Sequence, residues 1–193
     1  MPILRKESEI YPENLFEMPT ADAPWAIAHL RSRQEKAVAR LLLDGGKPFY
    51  LPQIVNSKKS SGRTFISHLP LFPGYIFVRR VKGLRETLWR TSAVANMLEV
   101  PDQQQLTMEL LQIRQLQTSG ALLTPRADLV RGDAVHVEEG AFRGYTGIVI
   151  EERGSLRLIV SVSILKKSVV VEFPREVLAA VKAGKTGHHH RGV

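Results

Sequence analysis

Up to about Gly120 the sequence alternates between helical and strand spacings, and beyond Pro125 only short strand-like runs remain, divided by glycine-bearing turns. One hydrophobic core cannot serve both patterns, so two small domains are expected in the 193 residues rather than one medium one. In the first half, residues 25–30 form an apolar run that reads as a strand. Ser32 and Glu35 then stand at capping-box spacing ahead of Ala37, Val38, Leu41 and Leu42, which predicts a helix over 33–43 ended by Gly45 and Gly46. Strands are expected at 49–55, 63–69 and 75–80, with a polar loop over 56–62, a short helix at 84–90 and a strand at 94–100. A last helix carries Leu106, Leu110, Ile113 and Leu116 after Asp102.

This order predicts an α+β domain over 25–118, with helices flanking a mainly antiparallel sheet. Gly120 and Pro125 mark 119–126 as a linker. Strands at 134–138, 147–151, 157–162 and 168–173 predict a small SH3-like β-barrel over 127–182. Residues 1–24 hold Pro2, Pro12, Pro19 and Pro24 and no sustained period, and are expected to be a flexible tail, as are residues 183–193.

Charge separates the two halves. Residues 25–118 hold 14 basic and 6 acidic side chains, whereas 127–182 balance 8 against 8. A polyanion is therefore expected to meet the first domain and a protein surface the second. The absence of cysteine removes disulfides, thiolate metal sites and cysteine nucleophiles. No run approaches membrane-spanning length and residues 1–18 lack a signal peptide's apolar core, so a cytoplasmic location is expected. No paired carboxylates, phosphate loop, nucleophile elbow or metal-ligand spacing is found, and His188 to His190 read as a tag remnant or solvated tail. The expectation is a non-enzymatic protein without cofactor or metal.

In Phe72-Pro73-Gly74-Tyr75-Ile76-Phe77-Val78, proline fixes φ and glycine admits a backbone conformation other residues avoid. Together they turn the chain so that Phe72 and Tyr75 either present aromatic surface beside the sheet or simply pack in the core. This segment resembles the signature of the NusG N-terminal domain. Trp25, the helix after Ser32 and residues 91–100 join the resemblance. Arg131-Gly132-Asp133, followed by Gly140-Ala141-Phe142-Arg143-Gly144-Tyr145-Thr146-Gly147-Ile148-Val149, resembles a KOW motif. The chain is thereby similar, over 25–181, to the NusG/RfaH family of transcription elongation and antitermination factors, as a specialised paralogue.

The resemblance implies a monomeric factor that binds the clamp helices of the largest RNA polymerase subunit and suppresses pausing or termination. It assigns Trp25, Phe72, Pro73, Gly74 and Tyr75 to polymerase. It sets His29, Arg31 and Arg33 on non-template or upstream DNA, and the domain's basic excess adds Lys58, Lys59, Arg63, Arg79 and Arg80 as phosphate candidates there. Phe142, Tyr145, Ile164, Leu165, Lys166 and Lys167 are assigned to a partner of the KOW domain, ribosomal protein S10 or Rho. Lys166 and Lys167 stand where many housekeeping members have a Gly-Arg pair, a departure that puts Rho in doubt. The competing reading is a ribosome-associated or RNA-binding KOW protein, against which the neutral charge of the barrel argues.

Overall fold

The computed structural model describes residues 6–60, 62–126, 134–136, 144–152 and 155–172. The chain divides into two compact units, residues 1–111 and 112–193. The first contains β1 (Ile10–Tyr11), β2 (Trp25–Leu30), α1 (Glu35–Asp44), β3 (Phe49–Tyr50), β4 (Gln53–Ser60), β5 (Arg63–Pro70), β6 (Tyr75–Arg79), α2 (Leu84–Trp89) and β7 (Val94–Glu99). Helix α3 (Gln103–Thr118) begins in this unit and runs past its boundary. Asp102 caps it by accepting the Gln105 N–H at 2.8 Å.

The central antiparallel sheet runs β1-β3-β6-β2-β7. Alternation along β2 gives it two faces. Ala26, Ala28 and Leu30 join Val78, Ile76 and Phe49 in a core with Val38, Ala39 and Leu42 of α1 and with Leu84 and Leu88 of α2. The opposite face carries Trp25, Ile27 and His29, paired in register with Arg79, Phe77 and Tyr75 of β6. Two small alanines in β2 let the helices pack close on one side, while the large rings occupy the other.

Residues 9–23 are part of this fold, which corrects the expected flexible tail. β1 pairs with β3, the Leu51 N–H donates to the Glu9 carbonyl at 2.6 Å, and a short 3-10 turn (Leu15–Glu17) buries Leu15 completely. Phe16 packs on the rings of Trp25 and Tyr50, with centroids 5.8 and 5.3 Å apart. The segment is held by contacts with residues distant in sequence and by a two-residue ladder, so it has no local period to read. Leu15→Ala is expected to cost about 2–5 kcal/mol in urea denaturation. A loss below about 0.5 kcal/mol, the range of surface substitutions, would return the segment to the solvent.

Two further differences concern strands. The expected run 49–55 breaks after Tyr50, and β4 then continues through the expected polar loop to Ser60, where it pairs with Arg63 across a tight turn. β4 and β5 form a separate two-stranded hairpin. Among its described side chains Gln53 alone is buried, and the stretch 56–60 carries no apolar alternation to announce it. The expected linker is likewise part strand, because Leu122–Arg126 forms β8 in the second unit.

That unit contains β8, β9 (Ala134–His136), β10 (Thr146–Glu152), β11 (Ser155–Val162), a 3-10 turn (Ser163–Leu165) and β12 (Lys167–Glu172). All pairings are antiparallel in the order β8-β12-β11-β10-β9, the all-strand architecture expected from the sequence. Val160, Val162, Val169 and Val171 are buried in it. Gly147 lies so close to β11 that a Cβ would stand 2.5 Å from the Ile159 carbonyl oxygen and 2.8 Å from Leu158 Cδ1. Gly147→Ala is therefore expected to cost about 1–3 kcal/mol, read as a lowered thermal midpoint of the second domain. An unchanged midpoint would mean that the two strands part more easily than their register implies.

Among the described residues no helix is long and apolar enough to cross a membrane, and no three His, Asp or Glu side chains gather as metal ligands.

Candidate functional site

Phe72, Pro73, Gly74 and Tyr75 form a tight turn closed by the Tyr75 N–H donating to the Phe72 carbonyl at 3.1 Å. Gly74 takes the left-handed φ of +85°, as the third position of a type II turn requires, with proline before it. The turn is pinned from two sides. The Leu30 N–H donates to the Gly74 carbonyl at 2.8 Å, and the Gly74 N–H donates to Glu35 Oε1 at 2.7 Å. Glu35 is buried and spends its carboxylate on this turn, so α1 starts at Gln34 without a side-chain cap. The expected capping box is thus replaced by a bond between the helix start and the Pro-Gly turn.

Behind this turn the ring-bearing face of the sheet is sealed at one end and open at the other. Trp25 is 1% exposed and Phe72 2%, with Phe72 set edge-on against Phe77 at 5.8 Å. The Trp25 indole N–H donates to Thr107 Oγ1 of α3 at 3.0 Å, and its backbone N–H to Gln103 Oε1 at 2.6 Å. Both rings therefore belong to the core, which corrects their assignment as surface anchors. At the open end, exposed His29 stacks on half-buried Tyr75 with centroids 4.9 Å apart and planes 20° off parallel. Asn96 of β7 faces His29 across the sheet, Leu98 sits half-buried beside Ile27, and Pro73 is exposed at the turn.

The basic residues divide into three groups. Arg31 and Arg33 are exposed in the turn before α1, where the Arg31 N–H donates to the Ala93 carbonyl at 2.8 Å. Lys59 and Arg63 are exposed at the hairpin end, in register with Thr64 and Ser60; Lys58 lies in β4, its side chain outside the described residues. The third group is Arg79 and Arg80, and only Arg80 reaches the surface, where it pairs with Glu99 at 3.2 Å.

Arg79 is fully buried, which removes it from the DNA candidates. Its guanidinium lies 4.7 Å from the centre of the Trp25 ring and donates through Nη2 to the carbonyls of Met18 and Pro19. Among the described residues Nε and Nη1 have no hydrogen-bond partner, and desolvation lowers its pKa from the usual arginine range. A buried cation on the ring face of an indole is a structural device: it fastens the N-terminal segment to the sheet.

In the second domain Tyr145 and Leu165 are each 8% exposed, so both are core residues rather than displayed contacts. Burial pushes the Tyr145 phenol up. Ile164 is half-buried, Lys166 is exposed with a left-handed φ of +51°, and Lys167 is partly exposed at the start of β12. Phe142, Arg131 to Asp133, residues 140–143 and His188 to His190 lie outside the described residues. Two exposed rings escaped the sequence reading: Phe65 in β5, and Trp89, 52% exposed at the end of α2, with the Arg85 guanidinium 5.4 Å from its ring centre. The four-residue spacing of Arg85 and Trp89 on a short helix was the available signal.

Residues 23–117 match the family model described as transcription termination factor nusG. The chain belongs to the NusG family. A solved structure titled "Domain interaction in Thermotoga maritima NusG" is 18% identical and covers 79% of this chain and 94% of that chain, with a TM-score of 0.42. No curated protein matches the chain. The chain is thus a transcription factor of the NusG family, whose members bind RNA polymerase and act without enzymatic chemistry. The NusG model starts at residue 23, so the packed segment ahead of it is an addition to the matched region.

Proposed function

We propose that this chain is a transcription elongation and antitermination factor that docks the open end of its sheet on the clamp helices of the largest RNA polymerase subunit. The observation that carries this reading is the His29–Tyr75 stack beside the Pro73-Gly74 turn, where the described residues leave the ring-bearing face open. An aromatic pair with an apolar flank and a polar rim is the composition of an interface anchor. Arg31, Arg33, Lys59 and Arg63, with Lys58, then lie along non-template or upstream DNA. Arg80 contributes once Glu99 yields it. The second domain is a KOW domain, in which Ile164, Lys166 and Lys167 recruit a partner such as ribosomal protein S10 or Rho. The protein acts as a cytoplasmic monomer.

No covalent step is required. A factor that binds the closed, processive polymerase better than the paused one shifts that equilibrium by its differential affinity alone, so about 1.4 kcal/mol of preference changes pause occupancy tenfold. Single-round transcription with RNA polymerase from the same cells tests the direction. Shortened pauses and increased read-through are expected. Lengthened pauses or enhanced termination would reverse the proposed sign and favour the activity named in the family description.

A further inference from the structure

Trp89 is unassigned by everything above. We propose that it is a stacking platform for an unpaired base of a single-stranded nucleic acid; this rests on the nucleic-acid half of the proposed function and gives that half a named contact. α2 buries Leu84, Thr87 and Leu88 against the core, which turns Arg85, Glu86 and Trp89 outward. An indole 52% exposed leaves much of an apolar ring in water, a cost that the Arg85 contact on the ring only partly offsets. Exposed aromatics with that cost recur where another flat ring is received.

Its surroundings select the ligand. The Arg85 guanidinium stacks over the ring at 5.4 Å, Arg90 is exposed next in sequence, and three residues further on the Ala93 carbonyl accepts from the Arg31 N–H, which brings in the turn with Arg31 and Arg33. Glu86 is the acid exposed on α2 among them. Unlike the His29–Tyr75 pair, Trp89 has no exposed apolar flank among the residues beside it on α2, and its neighbours Arg85 and Arg90 are cations. A ring for the base and guanidinium groups for the phosphates on either side match one nucleotide step of a single strand. Paired bases inside a duplex have no free face to offer it.

The protein supplies its own reporter, because it has two tryptophans and the other, Trp25, is 1% exposed. The full chain would be titrated at low salt with oligothymidylate, with oligouridylate and with a blunt duplex of equal length, following tryptophan emission and, separately, anisotropy of labelled strands. Single strands are expected to quench Trp89 and the duplex to leave it bright; quenching by the deoxy strand, the ribo strand or both names the source. Trp89→Ala should weaken single-strand binding about tenfold with its salt slope unaltered, and Trp89→Phe should keep most of the affinity while abolishing the quench. Arg90→Gln should instead reduce the slope by about 0.7.

Equal quenching by duplex, or unchanged single-strand affinity in Trp89→Ala, overturns the proposal and leaves the basic face standing. Weakened binding of Trp89→Ala to core polymerase with intact oligonucleotide binding reassigns the ring to a protein surface and also overturns it. A wild-type protein that binds no oligonucleotide at low salt brings down the basic face itself.

Discussion

Replacing Trp25 with alanine will cost the N-terminal domain about 3–5 kcal/mol, enough to unfold it at or near growth temperature. The ring is almost wholly buried, so its loss leaves a cavity between β2, α3 and the packed N-terminal segment. Two polar groups are stranded with it. Thr107 loses the indole donor, and Arg79 loses the ring that supports a buried cation already lacking partners at Nε and Nη1. Trp25→Phe restores a ring face for Arg79 but no donor for Thr107, and is expected to recover more than half of the loss. Chemical denaturation followed by far-ultraviolet circular dichroism reads both variants. A Trp25→Ala protein of normal stability that fails to bind polymerase would restore Trp25 as a contact residue.

The opposite pattern is expected at the open end of the same face. His29→Ala together with Tyr75→Ala should leave the fold intact, because His29 is exposed and Tyr75 only half-buried, yet weaken binding to core RNA polymerase by about 30- to 100-fold, the 2–3 kcal/mol of an interface anchor. Phe72→Ala, whose buried ring packs edge-on against Phe77, should lower stability instead. Affinity of the double variant within about threefold of wild type, with the fold verified by thermal melting, would remove the sheet end from the polymerase site.

These contrasting outcomes on one face mark where the sequence was legible. The apolar run at 25–30 and the Pro73-Gly74 pair located the strand and its turn, because hydrophobic patterning and turn chemistry are local properties. Which rings stay uncovered depended on Leu15 and Phe16, two apolar residues in a proline-rich acidic stretch whose partners lie in β2 and β3. The fate of Arg79 was half visible: strict alternation places it on the same side as Phe77 and Tyr75, but its charge argued for water. Only the carbonyls of Met18 and Pro19, brought in by that same stretch, reverse the balance. The 56–60 stretch of β4 and strand β8 were missed for a different reason. They hold their strands through backbone pairing with little burial, so their composition reads as loop.

The two-residue ladder between β1 and β3 reaches beyond stability. A sheet border with free amides and carbonyls invites a stranger's strand, and in a crowded cell that invitation ends in aggregation. Here the chain's own leading residues occupy that border, and the far border, β7, displays Asn96 and Glu99, a polar fringe that discourages stacking by neighbours. The sheet has, in effect, its selvedge already sewn.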